Sequence, residues 1–276
     1  MLKIKLETFS TPMQTTQVID GIDVIIEGQG ARTVVLLHGW PDTCRVWDAQ
    51  VAALQAHYRC VRFTLPGFDA SKPRRAYGLD EMVATIANIV DAVSPIDKVI
   101  LLVHDWGAAF GYQYCVRHPQ RVERLVGVDI GDTGSPQFFK SLNLKAKLGI
   151  AGYQLILALA WKIGGRLGNR MTRGMAKLLR APSEPEFISA DMNFPYYITW
   201  TGAYGSYRKM QVLDPQCPML FIYGRRKPFM FHSPQWAQWL NDKPGSKAMP
   251  FDTDHWPMVR QPQAFNLALL QWLAQP

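Results

Sequence analysis

The stretch "LLVHDWGAAFGYQY", residues 101–114, begins as an apolar run and turns polar at His104 and Asp105. It continues through Trp106 and Gly107 with apolar residues at helical spacing. It reads as a buried strand, a sharp turn and a helix. Many enzymes expose a nucleophilic serine at the tip of such a turn. Here the tip holds an aspartate. Serine is matched to acyl carbons, whereas a carboxylate can attack an sp3 carbon in line and form an alkyl ester with the enzyme. Water that splits this ester at the Asp105 carboxyl carbon regenerates the side chain. The turn is tight and favours small neighbours, which Gly107 provides and Val103 does not.

Outward from this turn the chain alternates strands and helices. "IDVIIE" (22–27), "TVVLLH" (33–38), "YRCVRFTL" (58–65), "DKVILLVH" (97–104), "RVERLVGVDI" (121–130), "CPMLFIYG" (217–224) and "SKAMPF" (246–251) read as strands. "CRVWDAQVAALQAH" (44–57), "LDEMVATIANIVDAV" (79–93), "SPQWAQWLN" (233–241) and "PQAFNLALLQWLAQ" (262–275) have helical periodicity. Such alternation predicts a parallel sheet covered on both faces. From about Thr133 to Gln211 no strand pattern occurs, only helical patterns broken by Gly and Pro. An insertion of this kind is placed to cover the sheet's carboxyl edge, where open α/β sheets bind ligands.

Composition sets outer limits. A chain of 276 residues, 48% apolar and 19% charged, can bury a large core, and no stretch is polar or repetitive enough for disorder. The net charge of +8 comes without a basic run interleaved with aromatics, so nucleic acid is not an expected partner. Lys and Arg show a mild excess between Lys140 and Arg180. Cys44, Cys60, Cys115 and Cys217 have neither metal-like nor paired spacing and read as free thiols. His104 and His118 lack partners at ligand spacing, so neither a metal nor another cofactor is expected. "MLKIKLETFS" (1–10) lacks a long apolar leader core, and the longest apolar segment, 148–165, is interrupted by Tyr153, Gln154 and Lys162. The expectation is a cytoplasmic protein without an integral membrane segment, monomeric or homodimeric.

"LLHGWPD" (36–42), "VHDWG" (103–107) and "DTDHWP" (252–257), in that order around a helical insertion, resemble the α/β-hydrolase family. More narrowly they resemble its aspartate-nucleophile branch, the epoxide hydrolases and haloalkane dehalogenases. The resemblance covers essentially the whole chain. It implies an α/β fold with a mostly parallel eight-stranded sheet flanked by helices. The core is then residues 1–132 and 212–276, and a helical cap, 133–211, enters after strand 6.

The resemblance also distributes roles. Asp105 is the nucleophile and His255 the base that activates water for hydrolysis of the ester. The amides of Trp40 and Trp106 form the oxyanion hole. Many relatives carry the triad's acid three residues past the glycine of "LFIYG", but Lys227 stands there, and a lysine cannot orient an imidazolium. A second placement, at the end of the strand before the cap, points to Asp129, 24 residues after Asp105, with Asp132 next and Asp254 disfavoured by its closeness to His255. Tyr153 in "AGYQLIL" and Tyr207 in "TGAYGSYRKM" match the two cap tyrosines with which epoxide hydrolases assist ring opening. Trp106, Phe138 and Tyr197 are expected to line an apolar pocket, with Met192 nearby, although plain packing explains the last three equally well. The implied substrate is a small apolar epoxide. A haloalkane is the alternative, with Trp106 as halide donor, and a non-catalytic ligand receptor is a third reading for which Lys227 is the best argument.

Overall fold

The structure is a computed structural model that describes residues 14–275; the N-terminal stretch read for a leader lies outside them. Among these residues eight strands form one sheet: β1 Gln14–Ile19, β2 Ile22–Glu27, β3 Arg32–Leu37, β4 Tyr58–Phe63, β5 Val99–His104, β6 Val122–Val128, β7 Met219–Gly224 and β8 Lys247–Phe251. Their spatial order is β1-β2-β4-β3-β5-β6-β7-β8. β2 is antiparallel to both β1 and β4, and all other pairs are parallel. Every residue of β5 is buried, as its uninterrupted apolar run requires in a strand covered on both faces.

Among the described residues ten α-helices accompany the sheet: α1 Asp48–Leu54, α2 Leu79–Val93, α3 Trp106–Arg117, α4 Pro136–Ser141, α5 Leu144–Ile163, α6 Gly165–Leu178, α7 Phe194–Thr201, α8 Pro234–Asn241, α9 Pro257–Arg260 and α10 Pro262–Leu273. Two large apolar clusters lie against the sheet. One holds α1, Trp47, Trp256 and α10 against Val34, Leu36, Ile100 and Leu102. The other joins Leu37, Leu101, Val103 and α2 continuously to Leu157, Trp161, Met175 and Phe194 of the segment between β6 and β7.

That segment carries α4 to α7 and, among the described residues, no named strand. It meets the loops after β3 and β4. Trp40 Nε1 donates to Asn193 Oδ1 at 2.7 Å, Ser183 Oγ donates to Asp42 Oδ1 at 2.6 Å, and the ring of Phe194 packs edge-on against Phe68. α5, 20 residues long, is by length and composition alone long and apolar enough to cross a membrane, and it contains the Tyr153, Gln154 and Lys162 that interrupt 148–165. It packs instead against α6 and α7, burying Leu157, Ala158, Ala160 and Trp161.

Two elements depart from the sequence reading. β1, "QTTQVI", escaped it because five of its six residues are exposed and no apolar alternation marks an edge strand that pairs with β2 alone. The helix read over 44–57 is a 3-10 turn, Cys44–Trp47, followed by the short α1.

Candidate active site

Asp105 ends β5 and caps α3 with φ 52° and ψ −123°, a conformation that side chains other than glycine's rarely adopt. The strain holds its carboxylate out at the sheet's carboxyl edge. Close approach of β3's loop explains the glycines around it. A Cβ on Gly39 would lie 2.4 Å from Asp105 Cβ, and one on Gly107 would lie 2.2 Å from the His38 carbonyl oxygen.

Each Asp105 oxygen has its own partner. Oδ1 accepts from the Trp40 amide at 2.6 Å. Oδ2 lies 3.3 Å from His255 Nε2. The Gly39–Trp40 peptide is held in this orientation from its other side, because the Gly39 carbonyl accepts from the Asp42 amide at 2.8 Å and lies 3.0 Å from His38 Nδ1. His38 Nε2 accepts from the Leu65 amide at 2.9 Å, which places the ring proton on Nδ1. Burial pulls the His38 pKa down to about 4, so this link stays neutral. The Trp106 amide stands at the start of α3 beside Asp105 and makes no hydrogen bond to that carboxylate among the described residues.

His255, in the loop after β8, presents Nδ1 to Asp129 Oδ2. Asp129 follows β6 with φ 66° and is fully buried. Its other oxygen accepts from the Gly224 amide at 2.9 Å and from Lys227 Nζ. Lys227 therefore does not touch the imidazole but grips the acid that does, from a side chain only 7% exposed. Asp132 is otherwise engaged, accepting from the Ser233 amide at 2.7 Å and from the Ser135 and Ser233 hydroxyls. Asp254 pairs with Arg260. Asp129 is thus the carboxylate that meets His255.

The site's charges follow from these contacts. Burial disfavours a charged His255, but Asp129 and Asp105 on its two sides overrule burial and push its pKa up to about 9. Burial raises the Asp105 pKa, and the hydrogen bond and charge of His255 reverse this, for a net shift downward. These shifts favour a carboxylate, an imidazolium and a carboxylate in a row, and beside Asp129 stands Lys227, whose pKa burial lowers while the charge of Asp129 raises it.

The aromatic residues divide differently from the expectation. Tyr153 and Tyr196 sit together, ring centroids 6.0 Å apart, and Tyr196 stands edge-on to Trp106 at 5.4 Å and to Trp40 at 6.0 Å. Burial raises both phenol pKa values, and the charge of Asp105 raises them further. Tyr207 packs on Trp106 at 5.7 Å, but its hydroxyl donates to the Tyr77 carbonyl at 3.1 Å and burial alone raises its pKa. Tyr197 is turned away. It stacks on Trp161 at 4.4 Å, because adjacent residues on α7 point about 100° apart. Phe138 belongs to a separate small cluster with Leu142, Ala146 and Phe229. Met192 is wholly buried in the main core. Tyr196, and not the expected Tyr197, thus stands beside Trp106 and Tyr153, a distinction that the sequence does not mark because it shows no helical phase separating the two.

Behind this row lies a second set of buried polar groups. Asp42 accepts from Ser183 Oγ and, at 2.8 Å, from Trp256 Nε1, so one carboxylate ties the β3 loop to the β6–β7 segment and to the loop of His255. Burial pushes its pKa up to about 6. His104 holds the His255 carbonyl at 3.0 Å and is kept neutral, burial pulling its pKa down to about 3. Among the described residues no three His, Cys, Asp or Glu side chains gather as ligands for a metal ion. All four cysteines are free.

The sequence and the fold both have counterparts. Residues 32–156 match the model of the α/β-hydrolase fold family. Epoxide hydrolase 1 of Caenorhabditis elegans is 30% identical over 105 residues, 37% of this chain and 26% of that protein. Epoxide hydrolase 2 of Siraitia grosvenorii is 32% identical over 135 residues, 47% of this chain and 40% of that protein. The matched stretch therefore spans well under half the length of these curated relatives. The crystal structure of a mutant epoxide hydrolase from Bacillus megaterium superposes with a TM-score of 0.72 at 19% identity, covering 95% of this chain and 100% of that one. An epoxide hydrolase from Vigna radiata superposes with a TM-score of 0.66 at 16% identity, covering 97% and 99%. With its elbow, strand order and sequence match from β3 into α5 all in accord, the chain has the α/β-hydrolase fold.

Proposed function

We propose that the protein is an epoxide hydrolase that opens an epoxide through an alkyl ester on Asp105 and hydrolyses the ester to a vicinal diol. The observation that carries this reading is a strained, ionised carboxylate with the Trp40 amide on one oxygen, His255 on the other, and the Tyr153 and Tyr196 phenols within reach of its charge. On this reading residues 133–211 act as a cap over a core formed by 1–132 and 212–276, and the substrate is a small apolar epoxide.

In the first step Asp105 Oδ2 attacks an epoxide carbon, the carbon–oxygen bond breaks, and its electron pair goes to the ring oxygen. A phenol beside the site donates the proton that oxygen takes up. Oδ1 stays on the Trp40 amide and becomes the ester carbonyl oxygen. Esterification removes the Asp105 charge, so His255 loses one of the two carboxylates that hold its pKa near 9 and can release its proton, which passes through solvent to the phenolate left by ring opening and restores the phenol. Neutral His255 then takes a proton from water as that water attacks the Asp105 carboxyl carbon. The oxyanion forms on Oδ1, where the Trp40 amide already points, with the Trp106 amide as second donor. Collapse expels the diol and restores Asp105.

Haloalkane chemistry would need two weak donors for the leaving halide. The Trp40 indole is bonded to Asn193, and Asn193 donates in turn to Thr172 Oγ1 at 2.7 Å, so neither is free for that task. The test is direct. The parent enzyme should convert a panel of aryl and aliphatic epoxides to diols and release no halide from bromoalkanes. His255→Gln should alkylate but not hydrolyse, so that mass spectrometry shows one substrate mass added to the intact protein and, after digestion, to a peptide containing Asp105. Full turnover by His255→Gln with no adduct would refute the assignment.

A further inference from the structure

The face of α5 and α6 that points away from the core has no role in the chemistry. From Thr133 to Ser183 the chain contains nine Lys and Arg and no Asp or Glu, while the remaining residues carry 21 basic against 22 acidic side chains. The whole net charge thus resides in this one segment. All nine cations are exposed, and none forms an ion pair among the described residues. On α6, Arg166, Arg170, Arg173 and Lys177 fall within about 60° of one another around the helix axis. On α5, which packs against α6, Leu144, Leu148, Leu155 and Leu159 fall within a similar arc and are 47–72% exposed. Lys145 and Lys162 border that leucine row. Leu167 and Leu178 extend the exposed apolar surface onto α6.

We infer that this face docks on an anionic lipid bilayer, with α5 lying in the interface and its leucines inserted beneath headgroups that neutralise the cations. The two halves of the pattern select the partner together. A nucleic acid would satisfy the cations and leave the leucine row in water. A second copy of the chain would cover leucines but oppose nine like charges. A lipid surface takes both, which is the arrangement of helices that lie along a membrane plane. α5 lies along the surface and does not cross it, because its opposite side is committed to α6, α7 and the core.

Cosedimentation of the full chain with vesicles tests this, using phosphatidylcholine alone and phosphatidylcholine with about a third phosphatidylglycerol. The protein should sediment with the anionic vesicles and not with the neutral ones, and raising the salt should release it. The triple variant Arg166→Glu, Arg170→Glu, Lys177→Glu should weaken partitioning by about 100-fold or more. The double variant Leu155→Ser, Leu159→Ser should weaken it by about 10- to 100-fold, with unchanged circular dichroism because both side chains already face solvent. Failure to bind anionic vesicles, or equal binding to neutral ones, overturns the proposal. So does duplex DNA binding that is insensitive to the leucine changes, or a dimer in light scattering that those changes dissociate.

Discussion

Lys227 and Asp42 are ionisable side chains in buried positions, and burial opposes the charge of each. Lys227 neutralises an Asp129 that is otherwise sealed from water with His255 as its other charged partner. Lys227→Met removes that compensation. Asp129 then acts with its full charge on His255, which holds its proton more tightly. Ester hydrolysis should need a pH about one unit higher, while alkylation changes little, as stopped-flow measurement of the two half-reactions would show. Breaking a buried pair by deleting one member also costs stability, about 3–5 kcal/mol. Lys227→Asp, harmless if this position were idle, should be worse on both counts.

Asp42 carries the opposite sign. Its folded pKa of about 6 stands above the usual carboxylate value, so the stability linked to it is present below about pH 4 and is lost as pH rises through 6. The shift corresponds to about 3 kcal/mol at neutral pH. Asp42→Asn keeps an acceptor for the Trp256 indole and removes the charge. Urea unfolding should therefore find the variant more stable than the parent at pH 7 and no better at pH 4. Among the phenols, Tyr153→Phe and Tyr196→Phe should each slow alkylation by about 10- to 100-fold, and Tyr207→Phe should be mild. A Tyr207→Phe defect as large as the other two, in pre-steady-state alkylation, would return that residue to the chemistry.

At the level of elements, the strand–elbow–helix unit shows how a departure in sequence is absorbed. Val103 is bulkier than the tight turn favours, and the elbow helix faces it with Gly111, where a Cβ would come within 2.8 Å of Val103 Cγ1. Gly111→Ala should destabilise by about 1–3 kcal/mol. Val103→Ala in the same background should recover much of the loss, a non-additivity measurable in a double-mutant cycle. This unit was legible from residues alone because β5 is apolar throughout and the polar switch at His104 marks its end. Asp129 rests on the family resemblance, which implies an acid at the end of the strand before the insertion. Lys227 was visible as a departure, but the contact that explains it spans 98 residues and two strand ends, which no local pattern encodes. The Tyr196 and Tyr197 pair was illegible for a simpler reason. Both are aromatic, and only the rotation of α7 about its axis decides which one faces Asp105.

At the scale of the molecule, the strand order sets β3, β5, β6, β7 and β8 side by side, and the segments after these five strands supply Trp40, Asp105, Asp129, Lys227 and His255 in turn. The apolar cluster that begins on Leu37 and Val103 runs without a break into Leu157, Trp161 and Phe194. Separating the two regions would uncover that cluster on both sides at once, so neither has a complete interior alone. Heat should accordingly melt the protein in a single cooperative step. Scanning calorimetry should give one endotherm whose measured enthalpy equals the van't Hoff value. Amides in α7 should exchange with deuterium only as fast as those in β5, since the opening that frees one frees the other. Two resolved endotherms would mean that the 133–211 segment unfolds on its own.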